Sequence, residues 1–238
     1  MLESIKEIVR KSIPYEVLKF YRDRKALRTW EKIGRSSPPP HVVKETLIRD
    51  YARAFNTRIM VETGTYLGDM VYAMRKSFSR ILSFELDEAL CEQARQRFAA
   101  DDHIEIIQGD SGKLLADYLT NINERCLFWL DGHYSGGVTA RGELNTPIKS
   151  ELEHIFAHPV AGHVILIDDA RCFTGQSDYP TLDELQRLVK ERTQGWQFSV
   201  EDDVVRIHPL KGYPHETHLP DVDWPQTPGS RQRAHPMG

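Results

Sequence analysis

From Val42 to His208 the chain alternates short apolar runs with segments whose apolar residues return every three or four positions. The runs Ile59–Glu62, Arg80–Glu85, Ile104–Gln108, Cys126–Leu130 and His163–Ile167 are too short for helices and end in polar residues, which predicts buried strands. Between them, helical spacing covers His41–Phe55, Met70–Ser77, Asp87–Ala100, Ser111–Leu119, Thr146–Phe156 and Thr181–Arg192, with Asp87 and Ser111 as N-cap residues. Strands that alternate with helices predict an α/β fold, a doubly wound and mostly parallel sheet covered on both faces. Trp196–Val200 and Val204–His208, which flank Glu201, Asp202 and Asp203, read as a closing antiparallel hairpin.

The flanks have a different texture. Residues 1–40 read as an amphipathic helical arm, broken near Pro14 and ended by the stiff linker Ser36-Ser-Pro-Pro-Pro40. Through Arg35 the arm holds ten Lys/Arg against five Asp/Glu, so a chain of net charge −4 divides into +5 for the arm and −9 for the rest. A basic amphipathic arm can lie on an anionic membrane face, pack on the domain or form a homodimer contact. The acidic remainder repels phosphates, so nucleic acid is not an expected partner. Residues 41–210 form the predicted domain, and 211–238, rich in Pro and His without periodicity, read as a tail. Cys91, Cys126 and Cys172 are widely spaced and lack a C-x-x-C pair, which fits a reducing cytoplasm better than a disulfide framework. No run approaches the length of a spanning helix.

The chemistry concentrates where strands end, because ligands of open α/β sheets sit beyond the carboxyl edge. The first strand ends Glu62-Thr-Gly64-Thr65-Tyr66-Leu-Gly68, a turn whose glycines permit close ligand approach and which opens a helix N-terminus. Tyr66 stands where the dinucleotide fingerprint has its second glycine, which argues against an NAD-linked oxidoreductase. Glu85, 21 residues after Gly64, closes the second strand, and Asp110-Ser111 follows the third. The E-x-G-x-Y-x-G pattern resembles motif I of the class I S-adenosylmethionine (SAM) methyltransferases, in the form seen in small-molecule O-methyltransferases. That resemblance spans roughly His41 to His208 and implies a Rossmann-like methyltransferase sheet. It implies that Glu62, Gly64, Thr65, Tyr66, Gly68, Glu85, Asp110, Ser111 and Asp131 bind SAM. Glu62 would lie near the cationic methionine end, Glu85 on the ribose hydroxyls and Asp110 near the adenine.

Asp131 and His133 end the fourth strand and Asp168-Asp169 the fifth. Three carboxylates converging on one edge suit a hard divalent cation. Asp131, Asp168 and Asp169 resemble the Mg²⁺ ligands of catechol- and macrocin-type O-methyltransferases. The resemblance then implies a metal-polarised acceptor hydroxyl, on a small molecule, sugar or glycan, with His133 as base and Asp131 as its substitute. The catechol type has a lysine three residues beyond the first ligand, where this chain has Tyr134. The loop from Ser135 to Pro147, with Gly136, Gly137 and Arg141, can close over the acceptor, and Arg171 can meet an anionic or hydroxyl-rich one. Alternatives are a metal-independent methyltransferase that uses His133, a non-catalytic partner docked through its arm, and a related hydroxylase chemistry.

Overall fold

The computed structural model describes residues 15–132 and 146–210. Its described helices are α1 (Tyr15–Lys32), α2 (His41–Phe55), α3 (Asp69–Met74), α4 (Glu88–Arg97), α5 (Ser111–Leu119), α6 (Ile148–Ala157) and α7 (Leu182–Arg192). The strands are β1 (Ile59–Thr63), β2 (Arg80–Glu85), β3 (Ile104–Gln108), β4 (Cys126–Leu130), β5 (Val164–Ile167), β6 (Trp196–Glu201) and β7 (Val204–Pro209). They form one sheet in the order β3-β2-β1-β4-β5-β7-β6. The first five strands pair in parallel, and β7 joins β5 and β6 antiparallel. This is the doubly wound, Rossmann-like sheet with a terminal hairpin that the alternation predicts.

Two apolar layers hold it. One face packs Leu115, Leu119, Ile148, Leu152, Leu185 and Val189 from α5, α6 and α7, the other Ile48, Tyr51, Met70, Val71, Cys91 and Ala94 from α2, α3 and α4. Burial on both faces explains why β1 and β4 are continuous apolar runs with fully buried residues. The chain enters β1 and then winds outward through β2 and β3 before returning to β4 on the other side. The β1/β4 boundary is therefore the switch point where a crevice opens at the carboxyl edge.

Local chemistry sets the element ends. Asp87 caps α4 as expected, accepting from Leu90 N–H at 2.9 Å. Ser111 does not cap α5; that position belongs to Asp110, whose carboxylate accepts from Gly112 N–H at 3.0 Å. An Asp one residue earlier wins because its longer reach meets the free N–H while Ser111 turns inward. The fifth strand begins at Val164 rather than His163, since the imidazole of His163 accepts from Cys126 N–H at 3.1 Å. Arm helix α1 is tied to the domain by Lys19 to Glu45 at 2.7 Å and by Tyr72 Oη, which donates to Glu16 at 3.1 Å. Among the described residues no helix is long and apolar enough to cross a membrane.

Candidate functional site

The crevice is shaped by one turn. After β1, Gly64 (φ 86°), Tyr66 (φ 48°) and Gly68 (φ 75°) all have left-handed backbone. A Cβ on Gly64 would lie 2.5 Å from the carbonyl oxygen of Asp131, so glycine is required by the passing end of β4. Tyr66 has no such freedom, and its αL geometry is held by Glu85: Oε2 accepts from Tyr66 N–H at 2.7 Å and Oε1 from Asp87 N–H at 2.9 Å. Glu85 is 6% exposed, and it fixes the β1 and β2 turns against each other at the crevice floor. Gly68 closes the turn by donating to Thr65 O at 2.8 Å and then caps α3.

Beneath this turn sits Glu62, 1% exposed. The Ser83 hydroxyl donates to its Oε2, and Thr65 and Ser83 hydroxyls bond to each other at 2.6 Å. Burial pushes the Glu62 carboxyl up to about 8, opposed by the Ser83 hydrogen bond and reinforced by the charges of Asp131 and Glu85. No cation of the chain is paired with Glu62 among the described ion pairs. A carboxyl raised so far by burial is held mainly in its neutral form near neutral pH. Ser111 instead serves a protein partner: its hydroxyl donates to Glu151 at 2.6 Å.

At the reacting end, β4 and β5 place their acids as predicted in the sheet but not around an ion. Asp131 N–H bonds to Thr63 O at 3.0 Å and Asp168 N–H to Leu130 O at 3.0 Å, which continues the ladder beyond the strands. Asp169 is left-handed (φ 56°), with its N–H on Asp168 Oδ1 at 2.8 Å. The carboxylate positions are then filled by cations of the chain. Lys44, from the first turn of α2, donates to Asp168 Oδ2 and lies 3.7 Å from Asp169 Oδ1. Arg171 donates to Asp169 Oδ1 at 2.7 Å and to Asp203 Oδ2. Burial draws the Lys44 ammonium down, but Asp168, then Asp131 and Asp169, outweigh it and hold it above its ordinary value. Burial and the charge of Asp131 hold Asp168 above the usual carboxylate range. Lys44 is thus an ammonium throughout the neutral range, facing carboxylates that do not all ionise readily.

That donor set does not fit a divalent ion as expected for Asp131, Asp168 and Asp169. Magnesium needs near-octahedral oxygens at about 2.0–2.1 Å, whereas two of the three acids are engaged by ammonium and guanidinium. No group of three or more His, Cys, Asp or Glu poised for a metal occurs among the described residues. Arg171, expected to face an acceptor, is spent on Asp169 and Asp203. His133, Tyr134, Gly136, Gly137 and Arg141 lie outside the described residues, and with them the expected base and loop.

Five residues of this end, Lys44, Thr146, Glu151, Phe173 and Tyr179, escaped the sequence reading as site residues. Asp131, Thr146, Glu151, Asp168, Phe173 and Tyr179 line a small pocket beside β4 and β5. Phe173 and Tyr179 meet edge to face with centroids 5.3 Å apart, and the phenol, raised above its usual range by burial, bonds to Thr146. Glu151 is 1% exposed and burial lifts it to about 7 against the Ser111 hydrogen bond. Its signal was present: Glu151 falls within the buried stripe Ile148, Leu152, Ile155 of α6. Lys44 likewise leads the stripe Leu47, Ile48, Tyr51 of α2.

No protein-family model and no curated protein sequence matches the chain. Solved structures do. The O-methyltransferase TomG from Streptomyces achromogenes, involved in tomaymycin synthesis and solved with SAM, superposes with TM-score 0.53 at 14% identity, over 77% of this chain and 86% of its own. An O-methyltransferase from Bacillus cereus in complex with SAH gives 0.54 at 14%, covering 87% and 98%. The SAH-bound methyltransferase PaMTH1 from Podospora anserina gives 0.51 at 18%, covering 87% and 94%. The chain therefore shares its fold with these methyltransferases.

Proposed function

We propose that the chain is a SAM-dependent methyltransferase that acts on a hydroxyl of a small molecule or carbohydrate. The observation that carries this reading is the pairing of the strained turn Gly64–Gly68 with Glu85 above a buried, cation-free Glu62. An ammonium from the methionine end of the cofactor complements Glu62, and the ribose hydroxyls reach Glu85 beside the N–H groups that it already orders. Asp110 caps α5 with Oδ1, and its Oδ2, 3.9 Å from Lys113 Nζ, faces the side from which the adenine edge approaches in this reading. Bound SAM supplies the methyl group on a positive sulfur, a good leaving group. The chain's part is to hold that group near Asp131 and the Thr146–Tyr179 pocket, where the acceptor oxygen enters and a carboxylate can take its proton.

The fold likeness to SAM- and SAH-bound enzymes supports the reading, as does Tyr66 at φ 48°, which occupies the place where a dinucleotide turn has its second glycine. Calorimetric titration with SAM, SAH and NAD tests it. Saturable binding of SAM and SAH without NAD is the expected result, and NAD binding alone overturns it.

A further inference from the structure

We infer that Lys44 is the resident cation of the reacting end and takes the place that a divalent metal would occupy among Asp131, Asp168 and Asp169. The inference rests on the methyltransferase reading for its meaning, but on the following geometry for its content. Asp168 is 5% exposed and the Lys44 side chain 14%, so the pair is withdrawn from water and from salt screening. One ammonium reaches both carboxylates of the Asp168-Asp169 step. It does so from α2, a helix whose Leu47, Ile48, Tyr51 and Phe55 are locked in the core. The position of Lys44 is therefore fixed by the same packing that holds the sheet.

Charge leads to the same conclusion. Lys44 and Arg171 bring two positive charges to the three acids they touch, Asp168, Asp169 and Asp203, so a divalent ion would meet a cluster whose charge is already largely compensated. A divalent ion enters at small cost only if Lys44 leaves, and Lys44 leaving would strip a buried acid of its partner, an expensive change. Lys44 is consequently a positioning residue: it holds Asp168 in the pocket wall and Asp169 beside it without an ion that exchanges with solvent. The site is metal-independent, and acceptor hydroxyls are held by protein groups alone.

Mn²⁺ titration of the full chain, followed by electron paramagnetic resonance, tests this directly and needs no acceptor. Wild type and Lys44→Arg are expected to leave Mn²⁺ free. Lys44→Met, which vacates the position while keeping the apolar stem, is expected to bind one Mn²⁺ at least about tenfold more tightly, and Lys44→Met with Asp168→Asn is expected to lose it again. Stoichiometric Mn²⁺ binding by the wild type that Asp168→Asn abolishes overturns the inference; so does a Lys44→Met chain that still binds SAM yet gains no Mn²⁺. Parallel SAM titration separates the two readings, since loss of SAM binding in the wild type sinks the proposed function and leaves the metal result standing. If Lys44→Met fails to fold, the wild-type and Lys44→Arg titrations still decide.

Discussion

The carbonyl oxygen of Asp131 lies only 2.5 Å from where a Cβ of Gly64 would be, so the turn after β1 and the end of β4 are in direct backbone contact. Gly64→Ala would meet both that oxygen and an unfavourable φ of 86°. The expected cost is roughly 2 kcal/mol or more, a fall in melting temperature of about 4–8 °C for a chain this size. Because Asp131 would have to move, SAM affinity should fall in the same variant. Melting by circular dichroism with and without SAM reads both effects, and an unchanged melting temperature would show that the two backbones are not in contact.

Glu85 joins two turns through charge-assisted hydrogen bonds to Tyr66 N–H and Asp87 N–H. Glu85→Ala removes both acceptors and, on the proposed function, the carboxylate that meets the ribose. Each bond to a charged group is worth about 1.5–3 kcal/mol, and about 1.4 kcal/mol is a tenfold change. SAM binding should weaken by about 100-fold or more, measured by calorimetry. Full affinity in this variant would place the ribose elsewhere.

Glu62 stands at about 8 in the free protein because it is buried. On the proposed function a bound ammonium faces Glu62 and favours its ionised form, so SAM binding below that value should expel a proton. Affinity should rise with pH until the carboxyl ionises unaided near 8. Binding enthalpies in buffers of different ionisation heat, collected at neutral pH, should reveal release of up to one proton. Glu62→Gln should abolish that release, and a wild type that releases none would separate Glu62 from the ligand's cationic end.

His163 joins β4 to the chain before β5. Its Nδ1 accepts from Cys126 N–H, so its other nitrogen donates to His158 Nδ1 at 2.9 Å, and His158 Nε2 donates to Leu119 O at 3.0 Å. Burial, then the charges of His158 and Arg125, lowers His163 to about 4 from the ordinary 6.5. The folded state therefore resists protonation that the unfolded chain accepts, and the contribution is complete above 6.5 and lost as pH falls toward 4. The loss amounts to on the order of 3 kcal/mol. Urea midpoints across that window should fall more steeply for the wild type than for His163→Gln, and parallel slopes would contradict the relay.

The order of elements was legible along the chain because a two-faced parallel sheet demands apolar strands, and helices that pack on it demand a stripe. Both periods are written locally, so β2, β3, β4, α2 and α5 begin and end where the pattern places them. Strand ends were legible for the same reason, which is why Glu62, Gly64, Glu85 and Asp110 fall at or just beyond the carboxyl ends of β1, β2 and β3. What fills the space between those ends was not. Lys44 is 124 residues from Asp168, and no local pattern reports a pair that α2 makes only by packing against β4 and β5. Asp131, Asp168 and Asp169 looked like a cluster of uncompensated oxygens in one dimension. Folding brought Lys44 and Arg171 onto them, because buried negative charge must find a counter-charge and the tertiary structure decides which one arrives.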